Sequence, residues 1–302
     1  MGREYYMRTI VAGRYRKVVR YNRVLPGDSM PVRNAKKNFT SRSQQYINIK
    51  NSTEKLQWLL CANYDRKDAC FCTFTFRDEH LPDCRQSVKK MASDCLQKLR
   101  KEWKRQGRDQ KTIYTVEGDS PGFAPSAPQA DNIWETMPWK DRARWPTMDM
   151  MEEDEPAEPP IRLHWHCFML LNREDYDVVR AFWPYGQVYI NAMKVNDITT
   201  FPRLASYVTK EARSGKRPKG ERSYIPSLNL EQPIIDGKWC EDYEGISVPK
   251  EAETIRCGSE REEMYGASME FAFYRMPRQK QLPEPYKGKG LLDKKQKCGK
   301  SK

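Results

Sequence analysis

Residues 161–170 read IRLHWHCFML, an apolar stretch that contains two of the three histidines of the chain. Its aromatic and aliphatic residues predict a buried β-strand. Successive side chains of a strand point to opposite faces, so His164 and His166 lie on the same face. The residues of the other face are all apolar: Ile161, Leu163, Trp165, Cys167 and Met169. Two neighbouring imidazoles can bind one divalent cation, although a histidine pair on a strand is more often a packing feature.

Helices and short strands alternate on both sides of this stretch. Runs of aromatic and β-branched residues predict strands over 70–76 (CFCTFTF), 111–117 and 186–193. Apolar residues at helical spacing predict helices over 52–64, 87–105, 172–182 and 200–213. Asn51 and Glu54 have the spacing of a capping box and predict the start of the first helix. Two further strands are predicted around Gly13.

The charge of the chain is strongly basic, with 54 Lys and Arg residues against 41 Asp and Glu residues and a formal net charge of +13. This balance is typical of proteins that bind a polyanion, with nucleic acid the first candidate and an anionic membrane the second. No apolar run approaches the roughly 18–20 residues that span a membrane, and MGREYYMRT lacks a signal-peptide core. The sequence therefore predicts a cytoplasmic protein without a membrane partner.

Composition divides the chain into segments. Residues 1–50 hold twelve basic and two acidic residues and form a predicted basic arm or hairpin. A domain is predicted over 51–235, interrupted at 118–160 by ten acidic and three basic residues and eight prolines, a composition that predicts a largely disordered insertion. Residues 236–302 form a C-terminal extension that ends in a basic tail.

The residues around the histidine pair suggest a reactive site. Glu117 ends the strand 111–117; if that strand pairs antiparallel with 161–170, its carboxylate completes a two-histidine, one-carboxylate metal site that polarises a phosphate oxygen. Tyr207 and Lys210 project from one side of helix 200–213, so Tyr207 can attack an activated phosphate while Lys210 offsets the developing charge. The alternatives are a solvent-exposed Glu117 and a Tyr207 that belongs to the core.

Three short motifs resemble those of the HUH-type single-strand endonucleases, which initiate rolling-circle replication of phages, plasmids and other mobile elements. CFCTFTF (70–76) is similar to their first strand motif, HWHCF (164–168) to the His-hydrophobic-His motif, and YVTK (207–210) to the Tyr-x-x-Lys motif. The motifs occur in the family's order, and the resemblance covers residues 51–235. RSYIPSLNLEQP (222–233) also resembles a segment that follows the tyrosine helix in replication proteins of bacterial mobile elements.

This resemblance implies an α+β fold, the ferredoxin-like fold of the replication initiators (Rep), with a central antiparallel sheet flanked by helices. It implies Mg²⁺ or Mn²⁺ on His164, His166 and Glu117, and attack by Tyr207 on the scissile phosphate of single-stranded origin DNA. The expected products are a 5′-phosphotyrosine link and a free 3′-OH that primes synthesis, with Lys210 steadying the phosphate or the tyrosine.

The partners implied by the resemblance are a helicase and a DNA polymerase, supplied by the bacterial host or by the element. The chain contains no GxxxxGK[ST] phosphate-binding loop, so the helicase is expected to be a separate protein. Basic residues near the predicted site are expected to contact DNA: Arg162, Arg203, Arg213, Lys216 and Arg217.

Two features depart from the family pattern, and two other functions stay open. The acidic segment 118–160 stands where relatives usually have a short turn, and Leu228 stands where a basic residue is expected. HUH transposases and conjugative relaxases usually have a third metal-binding histidine or a differently placed tyrosine, and His80 is the one histidine left for that role. A basic DNA-binding protein without catalysis would use the histidines for packing and would not depend on divalent ions.

Overall fold

The computed structural model describes residues 5–22, 42–118, 162–214, 216–218, 220–240, 245–262 and 267–278. The strands are β1 (Tyr5–Ala12), β2 (Tyr15–Asn22), β3 (Ala69–Phe74), β4 (Ile113–Glu117), β5 (His164–Leu170), β6 (Val188–Ala192), β7 (Ile225–Pro226), β8 (Ile234–Cys240), β9 (Glu253–Glu262) and β10 (Ala267–Arg275). The helices are α1 (Arg42–Asn63), α2 (Arg85–Arg105), α3 (Asp175–Ala181), α4 (Thr200–Val208) and α5 (Lys210–Arg213), with a short 3-10 turn at Asp78–His80.

The strands form two antiparallel five-stranded sheets. The first sheet has the order β8-β1-β2-β10-β9, and the second has the order β6-β3-β5-β4-β7. This architecture confirms a mixed α and β fold with antiparallel sheets flanked by helices. The first sheet is a finding that the sequence did not predict, since β1 and β2 come from the N-terminal segment and β8, β9 and β10 from residues after 233.

The second sheet places the histidine strand, β5, at its centre between β3 and β4. One face of this strand is apolar as predicted, and Trp165, Cys167 and Met169 pack in a core with Leu99 and Trp103 of α2. The stacked indole of Trp165 and ring of Phe74, with centroids 3.8 Å apart, lie in the same core. Burial of this face fixes the register of β5 and directs both histidines to the other side of the sheet.

Helix α1 packs between the two sheets. Leu56 and Leu60 are fully buried in a core that includes Tyr15 of the first sheet and Phe168 of the second. The helix begins at Arg42, ten residues before the predicted start, so the predicted capping box at Asn51 is wrong.

The structure shows where some of the predicted segment boundaries fall. The boundary predicted between residues 50 and 51 falls inside α1. Glu54, predicted to cap that helix, pairs with Lys17 of β2 instead. Apart from Gly118, the predicted disordered insertion 118–160 lies outside the described residues, as does the basic tail after residue 278.

The β1–β2 hairpin turns at Gly13, as predicted, and it lies against the end of α1. Gly13 has a φ of +57°, a conformation that favours glycine, and a Cβ there would lie 2.8 Å from the backbone oxygen of Cys61. The turn therefore requires glycine for its conformation and for its close contact with α1.

The remaining predicted elements are present, with ends shifted by up to about three residues. The helix predicted over 200–213 is divided at Thr209 into α4 and α5. Asp175, the first residue of α3, accepts the backbone N–H of Asn172 at 2.7 Å. Within the described ranges, none of the helices has the length and apolar character needed to cross a membrane.

Candidate metal centre

The pairing of strands brings Glu117 to the histidines. In the antiparallel register of β4 and β5, Glu117 lies directly opposite His164. Paired residues of an antiparallel sheet share a face, and His166, two residues further along β5, shares that face as well. The ligand atoms of Glu117, His164 and His166 all lie within 4.8 Å of one another, so this group could hold a metal ion.

The nitrogen and oxygen atoms of this cluster converge closely. Nε2 of His164 lies 3.1 Å from Nε2 of His166, which in turn lies 3.2 Å from Oε2 of Glu117. The third edge, between Nε2 of His164 and the same carboxylate oxygen, is 3.9 Å. Adjacent ligands of an octahedral cation with bonds of about 2.1 Å are about 3 Å apart, so two of the three separations match such a site.

Hydrogen bonds on the far side of each imidazole orient the rings. Nδ1 of His164 donates to the carbonyl oxygen of Arg162 at 2.8 Å, which leaves the Nε2 lone pair directed at the cluster. Nδ1 of His166 lies 2.9 Å from Oγ1 of Thr73, and donation to this hydroxyl leaves its Nε2 lone pair in the same direction. Such outer partners fix the tautomer that metal-binding histidines require.

Three electron-pair donors at these distances repel one another unless a proton or a cation lies among them. Two imidazole nitrogens and a carboxylate oxygen suit a divalent transition metal such as Mn²⁺, and the carboxylate also suits Mg²⁺. The residues present therefore fit the divalent ion that the sequence predicts, and they do not by themselves select which ion it is.

The electrostatics of the cluster keep the carboxylate ionised and His164 neutral. Burial alone raises the pKa of Glu117, but its contacts with His166 and a hydrogen bond from Lys210 outweigh burial and lower it to about 2. Burial lowers the pKa of His164 below its ordinary value. Both groups are thus in the protonation states that a metal ion needs at neutral pH.

Tyr207 and Lys210 reach the same cluster from α4 and α5. The phenolic oxygen of Tyr207 lies 3.4 Å from Nε2 of His166, and the Tyr207 side chain is partly exposed, at 38%. Nζ of Lys210 lies 2.5 Å from Oε1 of Glu117 and 4.1 Å from the centre of the Tyr207 ring. The five predicted site residues therefore lie together on one face of the second sheet.

The Glu117 carboxylate raises the pKa of both Tyr207 and Lys210. Burial and the nearby Glu117 carboxylate raise the pKa of Tyr207, and Lys210 opposes this effect. Burial alone lowers the pKa of Lys210, but the hydrogen bond and charge of Glu117 outweigh it and raise the pKa above its ordinary value. At neutral pH Lys210 is therefore a cation beside a protonated tyrosine.

A buried ion-pair network fixes the backbone on both sides of Glu117. Arg85 of α2 donates to the carbonyl oxygens of the residues before and after Glu117, and Glu211 of α5 accepts the N–H of Gly118 at 2.8 Å. Arg85 and Glu211 also pair with each other at 2.9 Å, with side chains that are 9% and 7% exposed. Because Glu211 follows Lys210 directly, the network ties the carboxylate strand to the lysine helix.

Arg217 belongs to the same network. Its side chain is only 4% exposed and pairs with Glu211 at 3.1 Å and with Glu221 at 3.3 Å. The guanidinium also donates to the carbonyl oxygen of Val116 at 3.0 Å. These internal acceptors bind the guanidinium of Arg217, and its contact with DNA stays a prediction.

The other predicted DNA contacts lie closer to solvent. Arg162 is half-exposed and pairs with Asp78 at 2.6 Å, and Arg213 is exposed and donates to the carbonyl oxygen of Ser206. Arg203 and Lys216 are exposed. Contact of these four side chains with DNA stays a prediction.

His80 lies outside this cluster. It belongs to the 3-10 turn at Asp78–His80, where its imidazole is 3.9 Å from Glu79 and makes an edge-to-face contact with Tyr185. Among the described residues, the group that could hold a metal consists of Glu117, His164 and His166.

Sequence reasoning missed the residues that support the cluster. Thr73 and Phe71 lie on the histidine-facing side of β3, and Phe71 stacks on His166 with centroids 4.9 Å apart. Alternation within CFCTFTF could have placed both on one face, although not opposite His166. Arg85 and Glu211 pair although they are 126 residues apart in the chain. No local sequence pattern indicates such a pair.

Comparisons with known proteins add no identification, since no family model, curated protein or solved structure matches this chain.

Proposed function

We propose that this chain is a metal-dependent HUH-type endonuclease that nicks single-stranded origin DNA and initiates rolling-circle replication. The observation that carries the proposal is the 3.4 Å separation between the phenolic oxygen of Tyr207 and Nε2 of His166. A nucleophile and a candidate metal ligand so close together can act on one phosphate group.

The arrangement of the second sheet supports the same function. The HWHCF motif lies on the central strand β5, and CFCTFTF supplies the neighbouring strand β3. The YVTK motif spans the junction of α4 and α5, on the face that holds the histidines. The three motifs, which occur in the family's order, thus lie close together in the structure. This arrangement supports the Rep fold for this α+β domain.

Mg²⁺ or Mn²⁺ would be held by His164, His166 and Glu117 and would supply Lewis-acid polarisation of a non-bridging oxygen of the scissile phosphate. Thr73 holds the His166 ring in place, and the carbonyl oxygen of Arg162 fixes the tautomer of His164 in which Nε2 is free to bind a metal. The buried network around Gly118 holds the carboxylate strand in place during turnover.

The covalent step is a transesterification at phosphorus. Tyr207 loses its phenolic proton to solvent, and its oxygen attacks the scissile phosphorus. A bond forms between phosphorus and the tyrosine oxygen, and the bond to the 3′ oxygen breaks, with that oxygen taking up a proton. The downstream strand stays attached through a 5′-phosphotyrosine, and the upstream strand ends in a free 3′-OH. Lys210 stabilises the negative charge that develops on the phenolic oxygen.

The partners in this proposal are those of a replication origin. A separate helicase and a DNA polymerase, from the bacterial host or the element, would unwind and extend the nicked strand in the cytoplasm. Transposition or conjugative strand transfer would use the same covalent step. The contacts of His80 with Glu79 and Tyr185, away from the cluster, favour the two-histidine scheme of the replication initiators.

A label-transfer assay tests the proposal. The full chain is incubated with Mn²⁺ and a random-sequence single-stranded DNA pool, labelled at the 3′ end in one reaction and at the 5′ end in another. We expect a covalent protein adduct that keeps the 3′ label and lacks the 5′ label. Tyr207→Phe should abolish the adduct, whereas Tyr189→Phe, which changes an exposed tyrosine of β6, should form it normally. An adduct that persists in Tyr207→Phe would overturn the proposal.

A further inference from the structure

The first sheet presents a row of aromatic side chains outside the metal cluster. Tyr6 of β1 lies opposite Tyr21 of β2 and opposite Trp239 of β8, so the three side chains share one face of the sheet. The Tyr6 ring lies 5.4 Å from the Tyr21 ring and 5.1 Å from the Trp239 indole, measured between centroids. Tyr21 and Trp239 are 37% and 48% exposed.

Glycines beside this row leave room for the aromatic rings. A Cβ on Gly237 of β8 would lie 2.0 Å from the hydroxyl of Tyr6, so the Tyr6 side chain lies across the backbone of β8. On β9, a Cβ on Gly258 would lie 3.1 Å from the ring of Phe271, which is paired with Gly258 in the sheet. The two glycines therefore allow the Tyr6 and Phe271 rings to lie close to the backbones of the neighbouring strands β8 and β9.

Arginines lie among these rings. Arg8 of β1 is exposed and paired with Val19, on the same face as Tyr6 and two residues away from it. The exposed Arg256 of β9 lies over the Phe271 ring, 5.5 Å from its centre. Exposed aromatic faces combined with guanidinium groups are the chemistry by which proteins bind the bases and the backbone of single-stranded nucleic acid.

Helix α1 covers only part of this sheet face. The side chains of Ile10, Ala12 and Tyr15 are buried against it, and Lys17 pairs with Glu54 of α1. Tyr21 lies four residues beyond Lys17 on the same face, about 13 Å along the strand. The aromatic row is therefore at the end of the sheet beyond the part that the helix buries.

The same helix also contacts the catalytic side of the molecule. Oγ1 of Thr53 in α1 lies 2.8 Å from Oγ1 of Thr209, two residues after Tyr207. Thr53 and its neighbour Glu54 thus touch the tyrosine helix on one side and the first sheet on the other. Helix α1 thus connects the tyrosine helix to the sheet that carries the aromatic row.

We infer that the aromatic face, defined as Tyr6, Tyr21, Trp239 and Phe271 with Arg8 and Arg256, is a second binding site that stacks unpaired bases of single-stranded DNA. The charge of the chain, +13 overall, makes a polyanion the complementary occupant. The identity of the nucleic acid rests on the proposed function, whereas the site itself does not require the metal cluster. Its role is to hold the DNA strand beside the nicking site.

Binding measured without divalent metal tests this site separately from the nicking reaction. The probe is a fluorescein-labelled oligothymidylate, and its affinity for the full chain in EDTA is measured by fluorescence anisotropy. We expect Trp239→Leu and Tyr21→Leu each to weaken binding about five- to tenfold, because each removes one stacking surface. Trp239→Phe and Tyr21→Phe keep a ring and should bind within about twofold of the wild type.

Controls on the same strands separate stacking from general effects. Ile234→Ala changes an exposed apolar side chain on the opposite face of β8 and should leave the affinity unchanged. Arg8→Gln should reduce the salt dependence of binding, whereas Lys238→Gln, on the opposite face, should not. Thermal unfolding of each variant shows whether a loss of affinity comes from misfolding. If a Leu variant is misfolded, the Phe variants and Arg8→Gln test the inference in its place.

The inference would be overturned by unchanged affinity in both Leu variants, by equal binding of duplex and single-stranded probe, or by selective loss of affinity in Ile234→Ala. If the wild type retains an acidic protein and the Leu variants bind oligothymidylate as tightly as the wild type does, the face is a protein-binding surface. This result would also overturn the inference. Failure of Tyr207 to form an adduct would refute the proposed function while leaving this binding result intact.

Discussion

The phenolic oxygen of Tyr207 lies 3.4 Å from Nε2 of His166, although the two residues are 41 positions apart and belong to different layers of the fold. Strand parity and burial of Trp165 direct the imidazole to this face, and packing of α4 against α1 brings the tyrosine over it.

Thr73 is expected to control metal affinity through His166. Thr73→Val removes the hydroxyl that fixes the ring and should weaken Mn²⁺ binding about 10- to 100-fold, as measured by isothermal titration calorimetry. Thr75→Val is the matched control, since the hydroxyl of Thr75 bonds to the backbone of Gln187 instead. Equal losses in both variants would contradict the assigned role of Thr73.

The ligand set predicts a preference among metals. Because imidazole nitrogen binds Mn²⁺ better than Mg²⁺, the full chain should bind Mn²⁺ more tightly. His166→Ala and Glu117→Gln should each lose most of this affinity, while His80→Ala, outside the cluster, should keep it. Tight Mn²⁺ binding that survives both cluster variants would place the metal elsewhere.

Lys210 is expected to act on the reaction and not on metal retention. Its ammonium pairs with Oε1 of Glu117, whereas the other carboxylate oxygen, Oε2, faces the histidines. Lys210→Met should therefore slow adduct formation by roughly 10²-fold or more while Mn²⁺ affinity stays the same or rises. A loss of Mn²⁺ affinity as large as that of Glu117→Gln would show that Lys210 supports the metal site instead.

The buried network around Arg85 is expected to stabilise the fold. Glu211→Gln leaves Arg85 and Arg217 without their shared carboxylate and should lower the free energy of unfolding by about 3–5 kcal/mol in urea denaturation. Glu174→Gln, at an exposed position, should change it by less than about 0.5 kcal/mol. Similar stabilities for the two variants would refute the structural role of Glu211.

Asp175 gives the protein a defined pH dependence of stability. Burial alone raises its pKa, but hydrogen bonds from Arg108 and from the backbone of Asn172 outweigh burial and lower it. Its contribution is therefore fully present above the unfolded-state pKa of about 3.9 and is lost as pH falls through the lower folded-state value. Asp175→Asn should cost about 1–3 kcal/mol at pH 7, and this difference should shrink in acid.

The exposed Asp177 provides the control for this effect. It lies in the same helix and pairs with Arg180, with a side chain that is 94% exposed. Asp177→Asn should have a much smaller effect on stability at either pH. A constant difference between wild type and Asp175→Asn across the acid range would contradict the assignment.

Local patterns were sufficient to predict the histidine face and most of the elements of the second sheet. Alternation of apolar residues in β5 is a local signal. The position of Glu117 beside the histidines depended only on the pairing of β4 with β5. The first sheet was missed because β1 and β8 pair across more than two hundred residues. Periodicity within a segment contains no information about such partners.

Charged residues were harder to assign than apolar ones. Arg217 stands in a basic stretch and was predicted to contact DNA, but its guanidinium is buried between Glu211 and Glu221. Whether an arginine faces solvent or pairs internally depends on which carboxylates the fold brings near it. For this reason the internal ion pairs of Arg85 and Arg217 could not be predicted from the sequence.

Identification of the residue that becomes attached to DNA is the decisive test of Tyr207 as the nucleophile. The adduct formed with Mn²⁺ and single-stranded DNA is digested with nuclease and protease, and the modified peptide is sequenced by mass spectrometry. We expect a nucleotide linked through its 5′ phosphate to Tyr207. A nucleotide on any other residue, or nicked DNA without a protein-linked nucleotide, would contradict this expectation.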